Sequence, residues 1–286
     1  MKFNLVWNVI KETSSKWSDD KAPKLAASLS FYTIFSIAPL LLLIIAIAGL
    51  VFGNDAAQGR IVEQLQSFVG KESAVLIQNA IKQSSNIQSG IIATVIGVLT
   101  LLLGASGVFL ELQDSLNMIW KVRRQPAKAI AAFIKSRLIS FALIIAVGIL
   151  LMASLIVSTV ISALSDFIER YISIPAFVLS LTDFAVSLVI MVVLFSMIYM
   201  VLPDVKLSWK DVRIGGLITS LLFILGKYLI SLYLGRSSVS STFGAAGSLA
   251  LFIVWIYYTA QILFLGAEFT YVYAVKFGSG IVPKQP

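Results

Sequence analysis

Six long apolar stretches, separated by shorter polar segments, dominate the pattern of this chain. Each reaches the roughly 20 residues that a helix needs to cross the hydrocarbon core of a bilayer. None alternates between apolar and polar positions as the strands of an outer-membrane barrel do, so helices are the expected spanning elements. The stretches are Ser30–Phe52, Gly90–Leu112, Leu138–Leu164, Ala176–Leu202, Ile214–Leu234 and Leu249–Ala274. The predicted fold is all-α, a polytopic membrane protein with six transmembrane helices.

Two further regions show a weaker, amphipathic pattern. In residues 1–29, apolar positions recur at helical spacing, which predicts either a helix on the inner leaflet or a helix packed on the rest of the protein. In residues 53–89, two apolar stripes separated by Gly70 predict two short helices on the outer membrane face, as a cover, a gate or a structural cap. The stripes are Phe3, Val6, Trp7, Ile10 and Trp17 in the first region, and Ile61, Val62, Leu65, Phe68, Val69, Ala74, Ile77 and Ile81 in the second.

Lysine and arginine are concentrated in alternate connections between the apolar stretches. One set of segments holds 16 of the 22 and the other holds 5, which by the positive-inside rule makes the first set cytoplasmic. The first set is 1–29, 113–137, 203–213 and 275–286, and the second is 53–89, 165–175 and 235–248. We therefore expect a cytoplasmic segment 1–29, a membrane domain 30–274 with a long outer loop 53–89, and a cytoplasmic tail 275–286.

Composition supports lipid as the solvent and removes several kinds of chemistry. Apolar residues make up 58% of the chain, charged residues 13%, and mean hydropathy is +0.94. The net charge of +8 follows from the cytoplasmic lysines and arginines, and no basic stripe with interleaved aromatic residues indicates nucleic-acid binding. The chain has no Cys and no His, which excludes disulfides, Cys/His metal sites and a triad with a His base.

No phosphate-binding GxxxxGK[ST] loop and no GxSxG motif occurs either. We expect no enzymatic activity, no cofactor, no metal and no nucleic-acid partner. Membrane lipids are the expected partners, and the sequence leaves open whether the chain forms a homo-oligomer or binds other membrane proteins.

Small residues and one proline predict how the first two membrane helices are built. Gly90, Gly97, Gly104 and Gly107 lie on one face of the second stretch, where small residues let helix backbones approach closely. Pro39 removes a backbone donor within the first stretch and predicts a kink, with the Ser36 hydroxyl satisfying a freed carbonyl of the same helix.

Two residues of opposite charge lie within the fourth and fifth stretches. Asp183 and Lys227 are each seven residues from the outer end of their stretch, roughly 10 Å deep at the rise of an α-helix. Charges at such depth are rare and indicate function. We predict that the two are neighbours in the folded bundle; the alternative is that Lys227 extends to the headgroups.

The sixth stretch carries a stripe of polar residues, Tyr257, Tyr258, Gln261 and Glu268, and Glu111 lies at the depth of Glu268 on the second stretch. Cytoplasmic cations, among them Arg137 and Arg213, could pair with either glutamate. We therefore predict a polar interior or a cavity open towards one leaflet, forming a substrate path. Asp20 is interpreted as a solvated loop charge that caps a helix ahead of Pro23.

Four separated blocks resemble the YihY/BrkB family of inner-membrane proteins, which formerly carried the label ribonuclease BN. At the junction of the fourth and fifth stretches, Tyr199, Leu202-Pro203, Trp209 and Gly215 are similar to the family pattern, and Phe243 stands where that pattern has Tyr. The three other blocks are AASLSFYTIFSIAP at 26–39, LELQDSLNMIW at 110–120, and FGAAGS at 243–248 leading into WIYY at 255–258 and Gln261 to Glu268.

The resemblance implies a six-helix inner-membrane protein, with proposed family roles in lipid export or transport and in resistance to host killing. The nuclease label finds no support, because the chain lacks His and has no carboxylate cluster for two catalytic metals. We expect a lipid-handling transporter or scramblase for phospholipid or a lipid-linked precursor. The alternative is a non-transport membrane scaffold or assembly factor. A third hypothesis, an ion- or solute-coupled transporter using Asp183 and Lys227, lacks a visible inverted repeat.

Overall fold

In a computed structural model of the chain, nearly all described residues are helical. The structure describes residues 2–52, 107–122, 176–236 and 239–278 without interruption, together with positions 58, 59, 61, 62, 66, 74, 75, 77–79, 104, 138, 142, 145, 146, 148–150, 153, 280, 282 and 283. Within these ranges it does not describe the side chains of 2–6, 43, 46–52, 176–180, 182, 183, 230–236, 239–249 and 251.

Six helical segments and two short strands are labelled here in chain order within these described ranges. The strands pair antiparallel, with Val205 opposite Pro283, and so join the connection between two helices to the end of the chain. The segments are α1 Lys2–Asp19, α2 Ala22–Phe52, α3 107–119, α4 Ala176–Val201, β1 Val205–Lys206, α5 Trp209–Arg236, α6 Val239–Lys276 and β2 Val282–Pro283.

The structure confirms a helical membrane protein. Four helices in the described ranges, α2, α4, α5 and α6, are long and apolar enough to cross a membrane. The predicted spans Gly90–Leu112 and Leu138–Leu164 lie mostly outside the described residues. The total of six spans therefore stays a prediction, as does the placement of short helices on the membrane surface.

The helix boundaries differ from the predicted ones mainly at the N-terminal ends. Helix α4 ends one residue before the predicted limit, whereas α2 begins at Ala22 instead of Ser30 and α6 at Val239 instead of Leu249. Hydropathy locates the part of a helix that lies in hydrocarbon, but backbone hydrogen bonding continues where the chain leaves it. Helices α2 and α6 therefore extend beyond their apolar stretches.

Helix α1 packs against α6 and, at its end, against α2. Val9 and Thr13 are buried, Glu12 pairs with Lys276, and the Lys16 ammonium lies 4.5 Å from the centroid of the Tyr271 ring. Of the two alternatives for residues 1–29, the structure shows a helix packed on the rest of the protein. Contact between its exposed side chains and the inner leaflet stays a prediction.

Two apolar clusters hold the described helices together. The larger joins α2, α3, α4, α5 and α6 around Trp120, Tyr199 and Phe264. The smaller brings the 53–89 region against α2 and α6, with Ile61, Ala74 and Ile77 among its members. The described residues of the two apolar stripes predicted in this region are helical, and Ile61, Ala74 and Ile77 are buried.

Helix α2 continues without interruption through Pro39. The Ser36 hydroxyl donates to the carbonyl of Gly104 at 2.6 Å, so the prediction that it satisfies a carbonyl of its own helix is wrong. Gly104 and Gly107 face α2, since a Cβ at Gly104 would lie 3.1 Å from the Pro39 ring and one at Gly107 would lie 3.5 Å from Ser36 Oγ. Gly90 and Gly97 lie outside the described residues.

Candidate functional site

Three elements meet around Glu268: the turn between α1 and α2, the end of α3, and the C-terminal part of α6. The apolar pattern of α6 gives this helix its buried faces, and Gln261 and Glu268 interrupt it. The two residues lie in different surroundings, one beside an open groove and the other inside the protein.

A groove of about 200 Å³ runs between α1, α5 and α6 and is partly open to the outside of the bundle. Its walls are mainly apolar. Gln261 lines the groove, and its Oε1 atom is buried without a hydrogen-bond partner. The lining residues are Trp17, Leu222, Leu225, Tyr258, Gln261, Ile262 and Leu265. The groove can therefore accept an apolar chain, and Gln261 places one amide side chain in its lining.

Glu268 lies inside the protein, and its side chain has no solvent-exposed surface. Both carboxylate oxygens lack a hydrogen-bond donor. The charged groups that act on it are Asp20, Lys121 and Lys16. A pairing with Arg213 is not found, because neither oxygen of Glu268 has a hydrogen-bond partner among the described residues, and Arg137 lies outside them. The cations that act on Glu268 are Lys16 of α1 and Lys121, which lies two residues beyond the end of α3.

Asp20 corrects a second expectation. Its side chain is only 9% exposed and pairs with Lys121, so it is not a solvated loop charge. The two residues are 101 positions apart in the sequence. Both belong to the surroundings of Glu268 and were absent from the predicted site. In the sequence, Lys121 and Asp20 look like ordinary cytoplasmic charges. Only their contact in the folded protein shows that they belong to this site.

A hydrogen-bonded contact fastens α3 to the connection between α4 and α5. The Asn117 amide donates to the Asp204 carboxylate at 2.9 Å, and the Asp204 backbone N–H donates to Asn117 Oδ1 at 2.8 Å. Gln113 approaches the other carboxylate oxygen at 3.4 Å. This reciprocal pair positions the segment that enters β1.

Buried hydroxyls and glycines set the close packing of α4, α5 and α6. Tyr199 donates to the carbonyl of Leu263 at 2.7 Å, and its oxygen lies 2.9 Å from the Thr219 hydroxyl oxygen. Gly266 faces both hydroxyls, and a Cβ there would overlap them. Gly215 faces Thr270 in the same way. These contacts hold helices together and leave no room for a ligand.

The remaining predicted site residues are spread over the bundle. Asp183 lies on α4 and Lys227 on α5, and these two helices pack together. The structure does not describe the side chain of Asp183, so the pairing of the two residues stays a prediction. Glu111 is partly buried on α3. Tyr257 is 36% exposed, whereas Tyr258 lines the groove and packs against Gly226.

The described residues contain no group of three or more acidic, His or Cys side chains that could hold a metal ion. Their polar features are the buried carboxylates of Glu268 and Asp20 and the Gln261 amide in the lining of the groove. Together with four helices able to cross a membrane, these features define an integral membrane protein with a partly open groove between its helices.

The chain belongs to the virulence factor BrkB family, which matches residues 13–285. It is similar to UPF0761 membrane proteins of Azotobacter vinelandii (28% identical), Ralstonia nicotianae (26%) and Verminephrobacter eiseniae (30%). These similarities cover 87%, 91% and 92% of this chain. The resemblance found in the sequence is confirmed. No solved structure matches the chain.

The chain spans 59%, 59% and 62% of the length of these three relatives. Their names describe membrane proteins and state no activity. The names of the relatives therefore agree with the membrane-spanning helices of this structure.

Proposed function

We propose that this protein handles membrane lipids, as a transporter or scramblase of phospholipid or of a lipid-linked precursor. The observation that carries the proposal is the groove between α1, α5 and α6, with Gln261 in its lining and the buried Oε1 of that side chain unpartnered among the described residues. A buried acceptor left without a donor costs about 1–3 kcal/mol, and a lipid amine or hydroxyl would supply one.

The walls of the groove suit the other part of a lipid. Leu222, Leu225, Ile262 and Leu265 provide an apolar surface for an acyl chain, and Leu225 is 54% exposed at its edge. Trp17 adds an amphipathic ring of the type that concentrates at headgroup level. In this arrangement the headgroup meets Gln261 while the acyl chain stays in contact with the bilayer.

A lipid-scrambling assay tests the proposal directly. Purified protein is reconstituted into vesicles containing a fluorescent headgroup-labelled lipid, and dithionite bleaches the label in the outer leaflet. With wild-type protein we expect loss of signal beyond the half that protein-free vesicles lose. Leu225→Trp fills the groove and Gln261→Leu removes its acceptor, so each should slow this additional loss severalfold.

Leu229→Trp is the matched control, because Leu229 is equally a half-exposed leucine on α5 but does not line the groove. Its vesicles should bleach as the wild type does. Wild-type vesicles that behave as protein-free ones, with phospholipid and with a lipid-linked precursor alike, would contradict scrambling. If Leu225→Trp and Leu229→Trp slow the additional loss of fluorescence equally, the groove is not the path of the lipid.

A membrane scaffold or assembly factor without transport is the second candidate. Its support comes from the buried polar contacts, because Asn117–Asp204, Tyr199–Leu263 and Ser36–Gly104 all join one part of the chain to another. For a scaffold, Gln261→Leu should leave the cellular role unchanged. A strain that depends on this protein, complemented with Gln261→Leu, separates the two candidates.

A further inference from the structure

Glu268 is a buried carboxylate that has no part in the proposed function. Its side chain is completely buried, and neither oxygen of the carboxylate meets a donor. Buried polar groups in native proteins are nearly always hydrogen-bonded, and an ionised carboxylate pays the largest penalty when it is not. A ligand, an ordered water molecule or a proton must therefore satisfy this group.

The neighbour that faces Glu268 is a second carboxylate. Asp20 lies at the turn between α1 and α2 and is one of the charged groups that act on Glu268. Its partner Lys121 follows Trp120, whose indole N–H donates to the carbonyl of the residue before Glu268. One oxygen of Asp20 pairs with Lys121, while the other, Oδ2, is also buried without a partner. Two ionised carboxylates only accept hydrogen bonds, so neither can satisfy the other.

We propose that Glu268 and Asp20 bind a single proton between them. One proton converts the two facing acceptors into a donor–acceptor pair, as occurs when two carboxyl groups share a site. Lys121 carries one positive charge beside Asp20, so two carboxylates, one lysine and one proton sum to zero. The site binds a proton and joins the α1–α2 turn to α6.

The surroundings favour a proton over a metal ion. Lys121 occupies one oxygen of Asp20, and the second nearby cation, Lys16, lies over the Tyr271 ring. The described residues hold no third acidic, His or Cys side chain near this pair that would complete a metal site. A proton can reach a buried group without an open channel, which agrees with the complete burial of Glu268.

Loss of the proton would leave two like charges facing each other at a buried position. Repulsion between them acts on the joint between the α1–α2 turn and α6. An unfolded chain has already released its carboxyl protons below neutral pH, so a folded state that binds this proton should lose stability as the pH rises from there. This follows whether or not the protein moves lipids.

The experiment compares melting temperatures of the purified full chain in detergent between about pH 6 and about pH 9. Glu268→Gln supplies a permanent amide donor in place of the proton. We expect the melting temperature to fall with rising pH in both proteins, and the fall in the wild type to exceed that in Glu268→Gln by about 3 °C or more. Glu12→Gln is the control, because Glu12 belongs to an ion pair with Lys276 and is 38% exposed; it should keep the wild-type pH dependence.

An infrared measurement provides a readout that a purely structural role would not change. The wild type at neutral pH should show the carbonyl band of a protonated carboxylic acid, absent from Glu268→Gln and present in Glu12→Gln. If Glu268→Gln does not fold, Asp20→Asn takes its place in both measurements. Equal pH dependence in wild type and variant, or no protonated carboxyl band, overturns the proposal. Recovery of wild-type stability at high pH by sodium chloride, but not by potassium chloride, would assign the site to a metal cation and overturn it as well.

Discussion

The indole N–H of Trp120 donates to the backbone carbonyl of Ala267 at 3.1 Å, joining positions 147 residues apart in the chain. Trp120 is almost completely buried at the end of α3, and its ring meets the ring of Tyr199 edge to face at 6.1 Å. Ala267 precedes Glu268 on α6, so this bond holds α6 where Glu268 faces Asp20. Trp120 therefore links the larger apolar cluster to the buried carboxylate pair.

Trp120→Phe should destabilise the protein. The change removes the indole donor and leaves the Ala267 carbonyl buried without it, at a cost of about 1–3 kcal/mol in the free energy of unfolding. Melting temperature in detergent measures the effect. Trp209→Phe is the control, since Trp209 is 43% exposed at the start of α5. Equal losses in the two variants would contradict the importance of the bond.

Asn117 and Asp204 should behave as one unit. Each donates to the other, and a hydrogen bond to a charged group contributes about 1.5–3 kcal/mol. We expect Asn117→Ala and Asp204→Ala each to lower the melting temperature, and the double variant to lower it by clearly less than the two losses together. Strict additivity in this cycle would show that the pair is not coupled.

Gly266→Ala should destabilise the contact between α5 and α6. The added methyl group would overlap the hydroxyls of Thr219 and Tyr199, and overpacking of this kind typically costs about 1–3 kcal/mol. Gly59→Ala is the matched control, because the space around Gly59 is open and the residue is helical. Combining Gly266→Ala with Thr219→Ala should recover part of the loss. A Gly266→Ala protein that melts with the wild type would contradict the close approach.

Lys21→Gly should stabilise the protein. Lys21 adopts a positive φ of 54° between α1 and α2, a conformation that costs a residue with a side chain about 1–2 kcal/mol and costs glycine little. Its side chain is exposed, so little packing is lost. The control is Lys24→Gly, where an exposed lysine inside α2 is replaced and the melting temperature should fall. A lower melting temperature for Lys21→Gly would contradict the argument.

Asp183 and Lys227 remain the predicted intramembrane pair. Asp183→Asn and Lys227→Met should each lower stability, because removal of one partner leaves the other charge without its counterion in the membrane. The double variant should regain part of that loss. Additive losses would favour the alternative in which Lys227 extends to the headgroups.

The polar residues of the site show how far local pattern reaches. Gln261 and Glu268 stand out in the sequence because polar residues inside an apolar stretch are rare and indicate function. Their surroundings could not be deduced in the same way. The stripe that contains both predicted one polar interior, yet Gln261 lines an open groove while Glu268 is enclosed with Asp20.

The sequence by itself determined that this is a helical membrane protein, and it located α4 to within one residue. Lipid imposes these features locally, since each spanning segment must be apolar and must satisfy its own backbone. Only the tertiary structure decided that Asp20 and Lys121 meet beside Glu268, and that Trp17 of α1 closes one wall of the groove. Such contacts depend on how helices distant in the chain pack against each other, and periodicity along one helix carries no information about the partner on another.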